Sequence, residues 1–125
     1  MARTTRAERG ARARSSGRRG EIVGALWLMA KGYRILGLRL KTPLGEIDLL
    51  AQKGDVVAVV EVKRRATMEA ALDCVKLRQR ERLLRAALSL TARRPSLAGA
   101  AIRLDLMALA PGRLPRHVPD AWRDE

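Results

Sequence analysis

One cysteine in 125 residues, Cys74, excludes an internal disulfide framework and suits a reducing compartment, so the protein is expected in the cytoplasm. Phenylalanine is absent, and Trp27, Tyr33 and Trp122 supply the only aromatic rings. The core must therefore be aliphatic, and base stacking on aromatic platforms is excluded as the main way of holding a nucleic-acid strand. With one histidine, His117, and one cysteine there is no zinc spacing, and a lone histidine near a terminus reads as a surface residue. No run of about 18 apolar residues occurs, so no membrane span is expected. Repeats, a P-loop and a Ser/His/Asp set are also missing. Acids are scarce: 13 against 26 basic residues, a formal charge of +13.

That imbalance points to a polyanionic partner, because basic proteins gain affinity by releasing counterions from nucleic acid. Part of it sits in residues 1–20, with seven arginines and one acid, but the remainder is basic in its own right. Residues 1–16 have almost no aliphatic bulk and read as a disordered arm, and 17–123 as a single domain. The arm lacks the apolar face that an interfacial membrane helix would need.

The most informative stretch runs from Gly45 to Lys63. Two apolar, β-branched runs flank Gly54-Asp55, which reads as a two-residue hairpin turn. That turn sets Ile47 opposite Val62, Leu49 opposite Val60 and Ala51 opposite Ala58, one apolar face. The other face carries Glu46 opposite Lys63 and Asp48 opposite Glu61. Like charges directly opposed are destabilising. A divalent cation, Mg²⁺ or Mn²⁺, would turn that repulsion into shared coordination, and Lys63 points to the same face as Glu61. Two acids, a cation and an ammonium are the equipment for phosphodiester hydrolysis. The plain alternative is a solvated face of exposed ion pairs.

Elsewhere, Ser15 or Ser16 caps a helix over Arg18–Lys31 whose bulky residues Ile22, Leu26, Leu28 and Met29 recur at helical spacing. Glu21 in its first turn either complements the helix dipole or adds a carboxylate to the acid pair. Tyr33–Leu40 reads as a strand and Thr67–Asp73 as a helical turn. Lys76–Thr91 reads as a helix burying Leu77, Leu83, Leu84, Ala87, Leu88 and Leu90. Arg78, Arg82 and Arg85 form a row on its other side, suited to a duplex backbone or simply solubilising, and Gln79 could place a water or phosphate. Arg64 and Arg65 extend the basic strand end. Ala101–Leu109 alternates as a strand in which Asp105 is expected to pair with an arginine across strands. Leu114–Val118 adds an edge strand, and Asp120-Ala121-Trp122 tacks down the end.

Gly20-Glu21, Gly32-Tyr33-Arg34-Ile35-Leu36, Gly45-Glu46-Ile47-Asp48-Leu49-Leu50-Ala51, Val60-Glu61-Val62-Lys63-Arg64-Arg65, Arg103-Leu104-Asp105-Leu106 and His117-Val118-Pro119-Asp120-Ala121-Trp122, in that order, resemble the YraN family of small bacterial proteins. The resemblance implies an α/β, restriction-endonuclease-like fold, a mixed β-sheet flanked by helices. It places the chain with the PD-(D/E)xK nucleases, as in Holliday-junction resolvases and tRNA-splicing endonucleases. It implies Asp48 and Glu61 as metal-binding acids, completed by the Val62 carbonyl, with Lys63 as the active-site lysine. Glu21 would be the first-helix acid, and Gln79 the helix residue that supplements the site. Arg39 departs from the pattern, standing where an Asn is common. The expected activity is metal-dependent cleavage of DNA, branched or recombination intermediates included. A non-catalytic nucleic-acid-binding module and a basic RNA-binding protein are the alternatives. DNA is favoured over RNA as partner, and a homodimer is expected by analogy with resolvases.

Overall fold

The hairpin is the centre of the structure, a computed structural model that describes residues 6–122, with side chains described from Arg18 onward. Gly54 takes φ +59°, the left-handed region a tight turn needs, and Lys53 pairs with Val56 across it. Strands β2 (Gly45–Lys53) and β3 (Val56–Arg64) then run antiparallel with Leu49 opposite Val60 and Ala51 opposite Ala58, the expected register. β1 (Arg34–Thr42) pairs outside β2. β4 (Ala101–Leu109) lies parallel to β3, and the three-residue β5 (Arg116–Val118) closes the edge antiparallel to β4. The sheet order is β1-β2-β3-β4-β5.

Helices cover both faces. α1 (Arg6–Ala30) packs Ala25 and Leu28 on Leu49, Ala51, Ala58, Val60 and Met107. α2 (Met68–Leu72) and α3 (Leu77–Ala92) bury Met68, Ala71, Leu83, Ala86, Ala87 and Leu90 on Leu50, Val57, Val59, Leu104 and Leu106. Because β3 is covered on both faces, its run Val57–Val60 is fully buried, as the continuous apolar sequence requires. The fold is α/β, a mixed sheet between helices in the restriction-endonuclease-like manner.

Several elements differ from the sequence reading. α1 begins at Arg6 rather than Arg18, so the backbone of Ser15 and Ser16 lies inside the helix; Arg and Ala are good helix formers and need no bulky neighbours. The arm expected over residues 1–16 falls partly outside the described residues. Ile22, Leu26 and Met29 are exposed, at 49, 59 and 55 %, and the buried face is Gly20, Glu21, Gly24, Ala25 and Leu28. The reason is proximity. A Cβ on Gly24 would sit 3.2 Å from Met107 Cγ, and one on Gly20 3.3 Å from Leu109 Cδ1, so small residues one turn apart let α1 lie close to the sheet. In α3, Leu77 and Leu88 are exposed, and the buried side is Leu83, Ala86, Ala87 and Leu90.

The chain end is anchored as expected. Trp122 is buried, donating Nε1–H to the Lys76 carbonyl at 3.0 Å. Asp105, fully buried, accepts from Arg103 Nε and Nη2 (both 2.8 Å) on its own strand, from the Asp120 N–H (3.0 Å), and lies 2.8 Å from His117 Nε2. Arg103 is thus a same-strand neighbour two residues away, not a cross-strand partner. His117 is no surface residue, its side chain being 1 % exposed. Burial works to raise the Asp105 pKa, but His117, Arg103 and the Asp120 amide outweigh it and hold it below the usual value.

Candidate functional site

Where β2 reaches Asp48 the strand changes phase. Leu49 faces α1, yet Ile47, two residues earlier, packs in the cluster with Leu50, Val57 and α3. Uninterrupted alternation would put Ile47 and Leu49 on one face. The β2–β3 pairing ends at Leu49 opposite Val60, so the Ile47–Val62 rung expected from the turn is not made, while on the other edge of β2 the pairing with β1 continues through Ile47 opposite Leu40. The Val62 N–H donates to Asp48 Oδ2 at 2.9 Å. A side-chain carboxylate has replaced a ladder carbonyl, which satisfies the amide and fixes the acid at the point where the strands part.

Glu61 lies beside it on β3 and is 5 % exposed. Its Oε1 is 3.2 Å from both Lys63 Nζ and Arg82 Nη2, while Oε2 is buried without a partner. The Asp48 pKa is raised to about 6, first by burial and then by the Glu61 charge; the Val62 amide and Lys63 oppose the rise, and Glu21 adds to it. Lys63 therefore pairs with Glu61 and not with Glu46, which is exposed and stands opposite Lys41 of β1.

Glu21 reaches the same edge from α1, brought in by the close approach at Gly20 and Gly24. Its carboxylate is 8 % exposed and accepts from Arg39 Nε at 2.7 Å. Arg39 has φ +50°, a left-handed conformation that is unfavourable for most side chains and that Asn tolerates better. The position where the chain departs from the family pattern is thus a strained one, and the arginine there neutralises the first-helix acid. Gln79 comes from α3. With its amide oriented to satisfy both neighbours, its oxygen accepts from Lys63 Nζ at 3.3 Å and its nitrogen donates to the Cys74 carbonyl at 2.8 Å.

The structure therefore gathers Asp48, Glu61, Lys63 and Gln79, with Glu21 on the flank. It adds two arginines to the acids: Arg82, read in the sequence only as part of a basic row, and Arg39. The left-handed φ of Arg39 has no sequence signal unless one knows that Asn is common there. Arg64, Arg65, Arg78 and Arg85 stay exposed around this edge and on α3. Arg65 donates to the Arg64 carbonyl at 2.8 Å.

The donors suit a hard divalent cation: two carboxylates, Glu61 with a buried oxygen lacking any partner and Asp48 with its pKa raised by burial and by the Glu61 charge. Asp48, Glu61 and the Val62 carbonyl could hold it. Among the described residues no three His, Cys, Asp or Glu side chains come together, so water would supply the remaining ligands.

Residues 20–109 match the uncharacterised protein family UPF0102. A UPF0102 protein of Caulobacter vibrioides is 66 % identical over 122 residues, covering 98 % of both chains. One from Paramagnetospirillum magneticum is 50 % identical over 113 residues, 85 % of this chain and 88 % of that one. One from Rhizobium etli is 49 % identical over 106 residues, 85 % of this chain and 87 % of that one. With the profile spanning the hairpin, both helices on the α3 side and β4, and with relatives matched nearly end to end, the chain belongs to the UPF0102, or YraN, family.

Proposed function

We propose that the protein is a metal-dependent endonuclease that hydrolyses phosphodiester bonds in DNA, branched intermediates included. The observation that carries this is the unpartnered, buried Oε2 of Glu61 beside an Asp48 whose ionisation is already disfavoured. Mg²⁺ or Mn²⁺ bound there would polarise a phosphate and lower the pKa of a bound water. The chain's own residues do the rest. Asp48 is held by the Val62 amide, and Lys63, positioned between Glu61 and Gln79, can orient the attacking water and face the charge that builds on the phosphate. Exposed arginines would hold the backbone without reading bases, so affinity should fall steeply with salt. A four-way junction presents two equivalent strands, which calls for two copies of the chain; a solution mass in the presence of junction DNA tests that.

One observation favours a second reading, a binding module that no longer cuts. Glu61 Oε1 is shared by Lys63 and Arg82, so the acid is partly neutralised without any metal. Incubating the protein with supercoiled, linear and four-way-junction DNA, and with structured RNA, in Mg²⁺, Mn²⁺ or chelator separates the two. The nuclease cuts DNA only with metal and loses cutting in Asp48→Ala and Lys63→Ala. Undiminished binding with no cutting in any condition identifies the module.

A further inference from the structure

The arginines that meet acids in this protein are held unequally. Arg103 grips the fully buried Asp105 with Nε and Nη2, both at 2.8 Å, the two-pronged pairing that makes a guanidinium–carboxylate contact strong. Arg39 donates Nε–H to Glu21 at 2.7 Å. Arg82 touches Glu61 through Nη2 alone, at 3.2 Å, and its side chain is 44 % exposed. Its head therefore has the weakest hold of the three. Its stem is better seated: a Cβ on Gly45 would lie 3.7 Å from Arg82 Cγ, so the glycine at the start of β2 leaves room for the stem while the guanidinium beyond it can turn. The oxygen that Arg82 touches, Oε1, is the one Lys63 also holds, and Oε2 has no partner.

We infer that Arg82 is an exchangeable counter-ion: it holds Glu61 while the acid pair has no cation and moves to a backbone phosphate of bound DNA once a cation takes the acid, so that metal and DNA bind cooperatively. The inference rests on the nuclease reading of this site and concerns its regulation. Charge supplies the reason. When all are ionised, Glu21, Asp48 and Glu61 are matched by Arg39, Lys63 and Arg82, so these six side chains carry no net charge without metal. A divalent cation on Glu61 neutralises the carboxylate that attracts Arg82 and adds like charge beside it, against which one long, half-exposed hydrogen bond counts for little. A phosphate offers the freed guanidinium the planar, two-oxygen partner that it does not have on Glu61. Arg82 reaches it from the exposed side of α3, in the same row as Arg78 and Arg85. The coupling is reciprocal, so DNA tightens metal binding by the factor that metal tightens DNA binding.

The test compares full-length wild type with Arg82→Gln, Arg82→Lys and, to remove equal charge from the same helix, Arg85→Gln. Calorimetric Mn²⁺ affinity without DNA should rise roughly fivefold in Arg82→Gln, which removes the competing cation, and stay near the wild-type value in Arg82→Lys and Arg85→Gln. Fluorescence anisotropy with phosphorothioate-substituted four-way-junction DNA, which resists cutting, reads the other half. In Mn²⁺ both glutamine variants should bind this DNA roughly threefold more weakly than wild type. In chelator Arg85→Gln should still lose that factor and Arg82→Gln should not, because Arg82 is then on Glu61. Wild type gives a reading without substitution: Mg²⁺ should release the Arg82 guanidinium to the fast side-chain rotation of an exposed arginine on its Nε–Hε NMR signal, and junction DNA should immobilise it again. Unchanged or weaker Mn²⁺ binding in Arg82→Gln, equal tightening in Arg82→Lys, a DNA loss of the same size with and without Mn²⁺, or an Arg82 signal that Mg²⁺ leaves as it was overturns the inference. If no protein cuts with any metal yet the variants follow this pattern, hydrolysis fails and the exchange remains as metal-gated DNA binding. If wild type cuts with metal and the pattern is missing, the exchange alone fails.

Discussion

Replacing Asp48 by asparagine should stabilise the metal-free protein at neutral pH. The carboxyl is pushed from 3.8 to about 6 by burial and by Glu61, so keeping it ionised at pH 7.5 costs the folded state about 3 kcal/mol at most relative to a neutral group. Asparagine has nearly the same shape, and its amide oxygen can still accept from the Val62 N–H, so little is lost in exchange. The sign follows from proton uptake. Between pH 4 and 6 the folded state holds more protons than the unfolded one, so the wild type loses stability as pH rises through that window while Asp48→Asn does not. Thermal unfolding in chelator should show Asp48→Asn higher by on the order of 10 °C at pH 7.5, with the difference closing at pH 4. Mn²⁺ should then raise the wild-type midpoint and leave that of the variant where it is. A variant less stable than wild type at pH 7.5 in chelator, as expected for the loss of an ordinary ion pair, would refute this reasoning.

Gly24→Val should cost about 1–3 kcal/mol in urea unfolding, because the new side chain meets Met107 at 3.2 Å, while Ile22→Ser on the exposed side of the same helix should change stability by less than about 0.5 kcal/mol. Asp105→Ala leaves the buried end of Arg103 without its carboxylate and should cost about 3–5 kcal/mol; since the Asp105 pKa is lowered on folding, the contribution in the wild type is complete above pH 4 and is lost as pH falls below it, which an acid unfolding series reads directly. Trp122→Ala should cost about 3–5 kcal/mol by emptying the space beneath α3 and freeing the Lys76 carbonyl, with Trp122→Phe falling in between.

How far the sequence could be read depended on whether each feature left a periodic trace. The hairpin did, since a two-residue Gly turn between β-branched runs determines the register from Leu49 to Val60 by counting. The break at Asp48 left none, because Ile47 is apolar and suits either face of a sheet buried on both sides. α1 misled for a related reason: a stripe of bulky residues usually marks the buried side, but here closeness to Met107 and Leu109 is what the packing demands, and glycine meets it without appearing in an apolar count. The acid pair and its lysine were legible from spacing and from the family resemblance. Their counter-charges were not, because Arg82 and Arg39 reach Glu61 and Glu21 from other elements, and a helix row of arginines looks the same whether it faces solvent or an acid. His117 and Asp105 met for the same reason, through β4–β5 pairing that sequence order does not display.

The central claim is that the edge where β2 and β3 part is built to hold a cation, and an anomalous-scattering map of crystals soaked in Mn²⁺ tests it most directly. A single strong peak about 2.1 Å from both Asp48 and Glu61 Oε2, with Lys63 alongside and the peak gone in Asp48→Asn, is the expected result. Glu61 still bound only by Lys63 and Arg82 at millimolar Mn²⁺, with no peak at that edge, would contradict it.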